Sequence, residues 1–136
     1  MSETKIKIED GPVAVTGASG YIGSRIVEDL VEQGYAVNAC VRDASSAIKT
    51  DHLFEMNKKG LGGSVELHEG DLFKKGSYNK AFFGCSAVIH AGATVGFNRE
   101  SPQEVYDGCF TENEHVLSSI KQSNSGFEFL DSSRIP

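Results

Sequence analysis

Two apolar rhythms alternate along this chain. Short apolar runs bounded by Gly, Pro or polar clusters read as buried strands, and the stretches between them repeat apolar residues at helical spacing. Gly11-Pro12 marks a turn, and Val13–Thr16 is the first strand. Tyr21–Gln33 carries Ile22, Ile26, Val27, Leu30 and Val31 on one helical face, with Gly34 at the expected C-cap. Ala36–Val41 is the second strand, and Ala44–Lys59 is a helix with Ile48, Leu53, Phe54 and Met56. The Gly60-Leu-Gly-Gly63 loop leads to a third strand, Val65–His68, then to a short helix around Tyr78–Phe83. Ala87–His90 is the fourth strand, Ala91–Ser101 a loop, Pro102–Gln122 a long helix and Phe127–Leu130 the fifth strand.

Strands separated by helices predict right-handed βαβ units and a parallel sheet covered on both faces. The expectation is a Rossmann-type, doubly wound α/β fold with strand order 3-2-1-4-5. A ligand would sit beyond the carboxyl ends of strands one and four, where the order reverses. Residues 1–136 make a single dinucleotide-binding domain, expected to be truncated after strand five.

The candidate chemistry begins in Val13-Ala-Val-Thr-Gly-Ala-Ser-Gly-Tyr-Ile-Gly23, a strand turning sharply into a helix. Gly17 makes the turn, Gly20 lets the backbone approach a pyrophosphate, and Gly23 lets the helix pack close to the sheet. Ser19, Tyr21 and Ile22 complete this expected phosphate cradle. At the end of strand two, Val41 takes the place where an acid usually grips the ribose of NAD, and Arg42 follows it. A guanidinium pairs with a 2′-phosphate and stacks on adenine. Arg42, with Lys49 in the next helix, therefore favours NADP(H) over NAD(H), whereas Asp43 keeps NAD as an option. Asp71, followed by Leu72, is read either as an acceptor for the adenine amino group or as the N-cap of the short helix. Ala91, Gly92 and Ala93 leave room for a ribose or nicotinamide, and His90 reads as a structural histidine.

A net charge of −6 argues against a nucleic-acid partner, and no apolar run approaches the ~18 residues of a membrane span. Cys40, Cys85 and Cys109 lack metal-ligand spacing and read as small buried residues, consistent with a cytoplasmic protein and no metal site.

Several segments together resemble the extended short-chain dehydrogenase/reductase superfamily. They are the glycine turn, Val41-Arg-Asp43, Glu69-Gly-Asp-Leu72, Phe83-Gly-Cys-Ser-Ala-Val-Ile-His90, Phe97, Pro102-Gln-Glu-Val105 and Phe129-Leu-Asp-Ser-Ser133. Within it they resemble the dihydroflavonol reductase and cinnamoyl-CoA reductase branch, related to 3β-hydroxysteroid dehydrogenases. The resemblance runs from about Val13 to Ser133. It implies reduction of a small carbonyl by NADPH, or the reverse oxidation, with Ser133 in the catalytic serine's place and Ser132 contacting cofactor. Asp131 stands where the family usually has Ser or Thr, and Glu112 where a glycine is common. The family's Tyr-x-x-x-Lys pair is missing: Arg25, Ala39, Phe82 and Phe110 follow the four tyrosines at that spacing. The expectation is the NADP-binding portion of such an oxidoreductase, inactive alone and acting on a carbonyl substrate only if completed. The alternatives are a stand-alone NADP(H)-binding regulatory module or pseudoenzyme, and a member of the epimerase/dehydratase or 3β-hydroxysteroid dehydrogenase type. An open edge on strand five predicts self-association.

Overall fold

The computed structural model describes residues 7–58, 62–92, 102–123 and 128–131. In chain order the elements are β1 (Val13–Thr16), α1 (Tyr21–Glu32), β2 (Ala36–Val41), α2 (Ala47–Lys58), β3 (Ser64–Glu69), α3 (Asn79–Phe82), β4 (Ala87–His90), α4 (Pro102–Ser123) and β5 (Glu128–Asp131). The strands form one sheet in the order β3-β2-β1-β4-β5. All four pairings are parallel, with Val13 level with Val37 and Ala87, and Thr16 level with Cys40 and His90.

Strand periodicity divides the core. Val13 and Val15 of β1, with Val37, Ala39 and Val41 of β2, face α1 and α2 and pack against Val27, Val31, Leu53 and Met56. Ala14, Cys40 and Val88 point the other way, onto Tyr78, Ala81 and Phe82 around α3 and onto Val116 of α4. Every residue of β1 is buried. That two-sided burial explains why the central strand reads as an unbroken apolar run.

Helix α1 ends in a Schellman motif. The Gly34 N–H donates to the Val31 carbonyl and the Tyr35 N–H to the Leu30 carbonyl, both at 3.0 Å, with Gly34 at φ +98°. At the β3 edge of the sheet, Asn57 Oδ1 accepts the Val65 N–H at 2.8 Å and Asn57 Nδ2 donates to the Val65 carbonyl at 2.9 Å. It occupies ladder positions of the edge strand β3.

Two expected elements shift. Helix α2 starts at Ala47 rather than Ala44, because Asp43 first folds the chain into a side-chain-closed turn: its Oδ1 accepts the Ser45 N–H at 2.9 Å. The short helix is confined to Asn79–Phe82, with Tyr78 and Phe83 as its flanking caps. No helix among the described residues is long and apolar enough to cross a membrane.

Candidate functional site

The turn after β1 is fixed by backbone contacts. Gly17 adopts φ +64°, and a Cβ there would lie 2.6 Å from the Gly92 Cα. A Cβ at Gly23 would strike the Gly17 carbonyl oxygen, so α1 packs directly onto the turn. Gly20 differs: a Cβ there would meet only the Gly17 carbonyl oxygen, at 3.3 Å. Its bare side leaves the backbone approachable from outside.

Gly20 is also the N-cap of α1 and supplies no side-chain acceptor, and the first turn carries no acid. Tyr21 and Ile22 are 88% and 60% exposed there. Ile22 thus leaves the apolar face its spacing suggested. The helix presents N–H groups and an uncompensated positive dipole end to whatever occupies this rim. An anionic pyrophosphate fits such a cradle.

Behind the turn runs a buried polar chain. The Gly92 N–H donates to Thr16 Oγ1 at 3.1 Å, and Thr16 Oγ1 lies 2.6 Å from His90 Nδ1. His90 Nε2 lies 3.1 Å from the Asn113 carbonyl oxygen. That oxygen can only accept, so Nε2 carries the proton and Nδ1 accepts from the threonine hydroxyl. His90 ties β1, β4 and α4 together, in keeping with a structural role.

At the end of β2, two acids in these loops, Asp43 and Glu69, bind backbone. Asp43 Oδ1 holds the Ser45 N–H and hydroxyl, and Glu69 Oε1 accepts the Ala44 N–H at 3.1 Å. Arg42 is exposed and forms no ion pair with described residues. The backbone of Lys49 lies in α2, but its side chain is outside the described set.

The loop after β3 is fixed by side chains. Ser77 Oγ accepts the Asp71 N–H at 2.9 Å and donates to the Asp71 carbonyl at 2.8 Å. Asp71 Oδ1 accepts the Phe73 N–H at 2.9 Å. Asp71 therefore caps a tight turn, and the expectation that it caps the short helix is corrected: that helix begins eight residues later, at Asn79, without a side-chain cap. His115 Nδ1 of α4 meets the Leu72 carbonyl at 2.7 Å and must be the donor.

Beneath the loop, the Tyr78 ring lies against Gly70, where a Cβ would collide with it, and stacks on Phe82 with centroids 5.3 Å apart. Burial raises the Tyr78 hydroxyl above its ordinary pKa, helped by Cys40, Asp71 and Glu112. Burial also raises Cys40, with a further push from Cys85. Cys85 is pushed up to about 11 by burial, against the opposing pull of its hydrogen bond from Asn38. These groups stay neutral at neutral pH and form an uncharged floor.

The ends of β1, β2, β3 and β4 border a cleft of about 220 Å³. Six expected residues line it: Gly17, Ser19, Arg42, Asp71, Leu72 and Gly92. Gly20, Tyr21 and Ile22 sit on the α1 rim beside it, and Gly23 is buried behind the turn. Ala91 is half-buried and backs Gly17. Ala93, Ser132 and Ser133 lie outside the described residues. Sequence reasoning missed Phe73 and Tyr78, which also line the cleft. An aromatic directly after Asp71-Leu72 was the available signal for Phe73.

The sheet order, the two-sided helices and the glycine turn define a Rossmann-type α/β protein with a ligand cleft at its switch point. Residues 13–135 match the NAD dependent epimerase/dehydratase family, and the chain belongs to that family. It is 40% identical over 93 residues to a dihydroflavonol 4-reductase of Hordeum vulgare, a match spanning 68% of this chain and 26% of that protein. It is 35% identical over 114 residues to a cinnamoyl-CoA reductase of Medicago truncatula, spanning 83% of this chain and 34% of the relative. The chain thus spans between a quarter and about a third of these relatives. Among solved structures, the yeast methylglyoxal/isovaleraldehyde reductase complexed with NADPH shares the fold. It superposes with a TM-score of 0.69 and 22% identity, over 88% of this chain and 36% of the reductase.

Proposed function

We propose that this chain binds NADP(H) in the cleft and is the cofactor-binding portion of a carbonyl-reducing oxidoreductase. The observation that carries the reading is the state of Arg42. It is exposed at the cleft mouth without an ion pair among described residues, while Asp43 and Glu69 are committed to backbone N–H groups. An exposed guanidinium whose neighbours Asp43 and Glu69 already accept backbone N–H groups suits a ribose 2′-phosphate over a bare 2′-hydroxyl. The uncapped N-terminus of α1 would hold the pyrophosphate, and Gly92 with Ala91 would pass beside the nicotinamide half. When bound, the cofactor supplies the hydride. The relatives' names, dihydroflavonol and cinnamoyl-CoA reductases, support a carbonyl substrate of that general kind. Ser133 is the proposed carbonyl-orienting residue and Ser132 a proposed cofactor contact.

No Tyr-x-x-x-Lys occurs in these 136 residues. That observation favours a second reading, binding without turnover by this chain alone. The outer edge of β5 is a proposed surface for self-association, which sedimentation at rising concentration would detect. The three thiols and the unpaired Cys40 and Cys85 suit a reducing, cytoplasmic setting.

The test is thermal stabilisation, since ligand binding raises stability by mass action. NADPH is expected to raise Tm more than equimolar NADH, and Arg42→Ala to abolish the difference. Equal shifts for the wild type would overturn the NADP preference, and no shift with either would overturn the binding site.

A further inference from the structure

We infer that Phe73 is the adenine platform of this cleft, a binding residue that takes one face of the base. The inference rests on the NADP(H) reading above. Phe73 is 51% exposed and lines the cleft together with Arg42, Asp71 and Leu72. About half of a large apolar residue is therefore left open to water at a ligand cleft, where it can still be covered.

The segment that carries it is tied down. Its own N–H is held by Asp71, Leu72's carbonyl is held by His115, and Ser77 closes the loop through both polar groups of the Asp71 backbone. The Lys74 N–H adds a further bond to the Asp71 carbonyl at 3.0 Å. A ring on a pre-ordered loop meets a flat ligand without a large ordering cost.

Position selects the base. Phe73 shares the β2–β3 end of the cleft with Arg42, which marks the adenosine ribose. The nicotinamide half belongs toward β4 and Gly92, at the opposite end. An aromatic face accepts any flat heterocycle, and adenine is the one that Arg42 brings to it.

The experiment uses the full chain and two probes that differ by a single phosphate: adenosine 2′,5′-bisphosphate and adenosine 5′-monophosphate. Each is titrated calorimetrically and by competition with NADPH fluorescence. Phe73→Ala is expected to weaken both probes by the same factor, roughly tenfold. Phe73→Tyr is expected to retain both affinities, and Phe73→Leu, which keeps bulk without a π face, to lose most of what alanine loses. Arg42→Ala is expected to weaken the bisphosphate much more than the monophosphate, in contrast to the equal losses at Phe73. Unchanged affinity of Phe73→Ala for both probes, in a chain that binds them as wild type, overturns the platform and leaves the cofactor reading standing. Failure of the wild-type chain to bind NADPH or either probe overturns both readings together.

Discussion

The turn after β1 and the loop after β3 face the same cleft but are held by different means. The turn is packed backbone against backbone, Gly17 on Gly92 and Gly23 on Gly17, with the Thr16 hydroxyl accepting the Gly92 N–H behind it. The loop is backbone held by side chains, with Ser77, Asp71 and His115 each supplying a bond that the main chain does not. A contact that needs the absence of atoms tolerates no substitution. A contact made by a hydroxyl or an imidazole can be removed one bond at a time. The turn should therefore fail abruptly and globally, and the loop gradually and locally.

The largest expected effect is at the turn. Gly17→Ala adds a Cβ at positive φ and pushes it into Gly92, and Gly23→Ala drives one into the Gly17 carbonyl. Left-handed strain with overpacking at Gly17, and overpacking against backbone alone at Gly23, should each cost about 3–5 kcal/mol in urea unfolding. Gly20→Ala, whose methyl needs the Gly17 carbonyl at 3.3 Å to give by only a few tenths of an ångström, should cost about 1 kcal/mol while weakening NADPH binding. Comparable losses at all three glycines would break the distinction between packing glycines and an approach glycine.

Next in size is alkaline pH, which should act on the floor under the loop. Below the ordinary thiol pKa of 9.0, Cys85 is protonated both folded and unfolded, and its contribution is fully present. Between 9.0 and about 11 the unfolded thiol ionises while the folded one does not, so stability falls as pH rises through that window. Completed, this loss is on the order of 2–3 kcal/mol, and the raised Tyr78 and Cys40 extend it in the same direction. Urea midpoints should stay level from pH 7 to 9 and then decline. A Cys85→Ala chain whose decline is as steep as wild type would place the effect elsewhere.

The same contrast decides what the sequence disclosed. Backbone-made features carry local signatures: Gly17, Gly20 and Gly23 at intervals of three after an apolar strand announce their own geometry, and Gly34 announces a helix end. Apolar periodicity placed every strand within a residue or two, because burial on one or both faces leaves a direct imprint. Side-chain-made features did not show, because a polar side chain has several possible partners, some of them distant in sequence and others within two residues. Nothing near Leu72 reveals that His115, 43 residues away, holds its carbonyl. Asp71 looked like a helix cap because a serviceable capping residue precedes a helix-forming stretch, yet its carboxylate is used two residues on, at Phe73. Asp43 appeared as a competitor to Arg42 for the ribose, and only the observed turn shows that Ser45 engages its carboxylate.

The smallest effect is also the sharpest test of the loop's side-chain support. Ser77→Ala removes one hydroxyl that both accepts from and donates to Asp71. Ser77 is only half-buried, so water can replace part of what is lost, and the two bonds together should be worth about 1–2 kcal/mol. The loss should stay local. Amide hydrogen exchange should accelerate from Asp71 to Tyr78, with the amides of β1 and of α1 beyond its first turn keeping their protection. His115→Ala should add to it from the α4 side, since the two residues grip different carbonyls of the same loop. The double variant should then exchange faster across the loop than either single one, and bind NADPH less tightly through a loosened Phe73. Faster exchange in β1 as well would mean that turn and loop form one cooperative unit, and the contrast between the two walls of the cleft would be wrong.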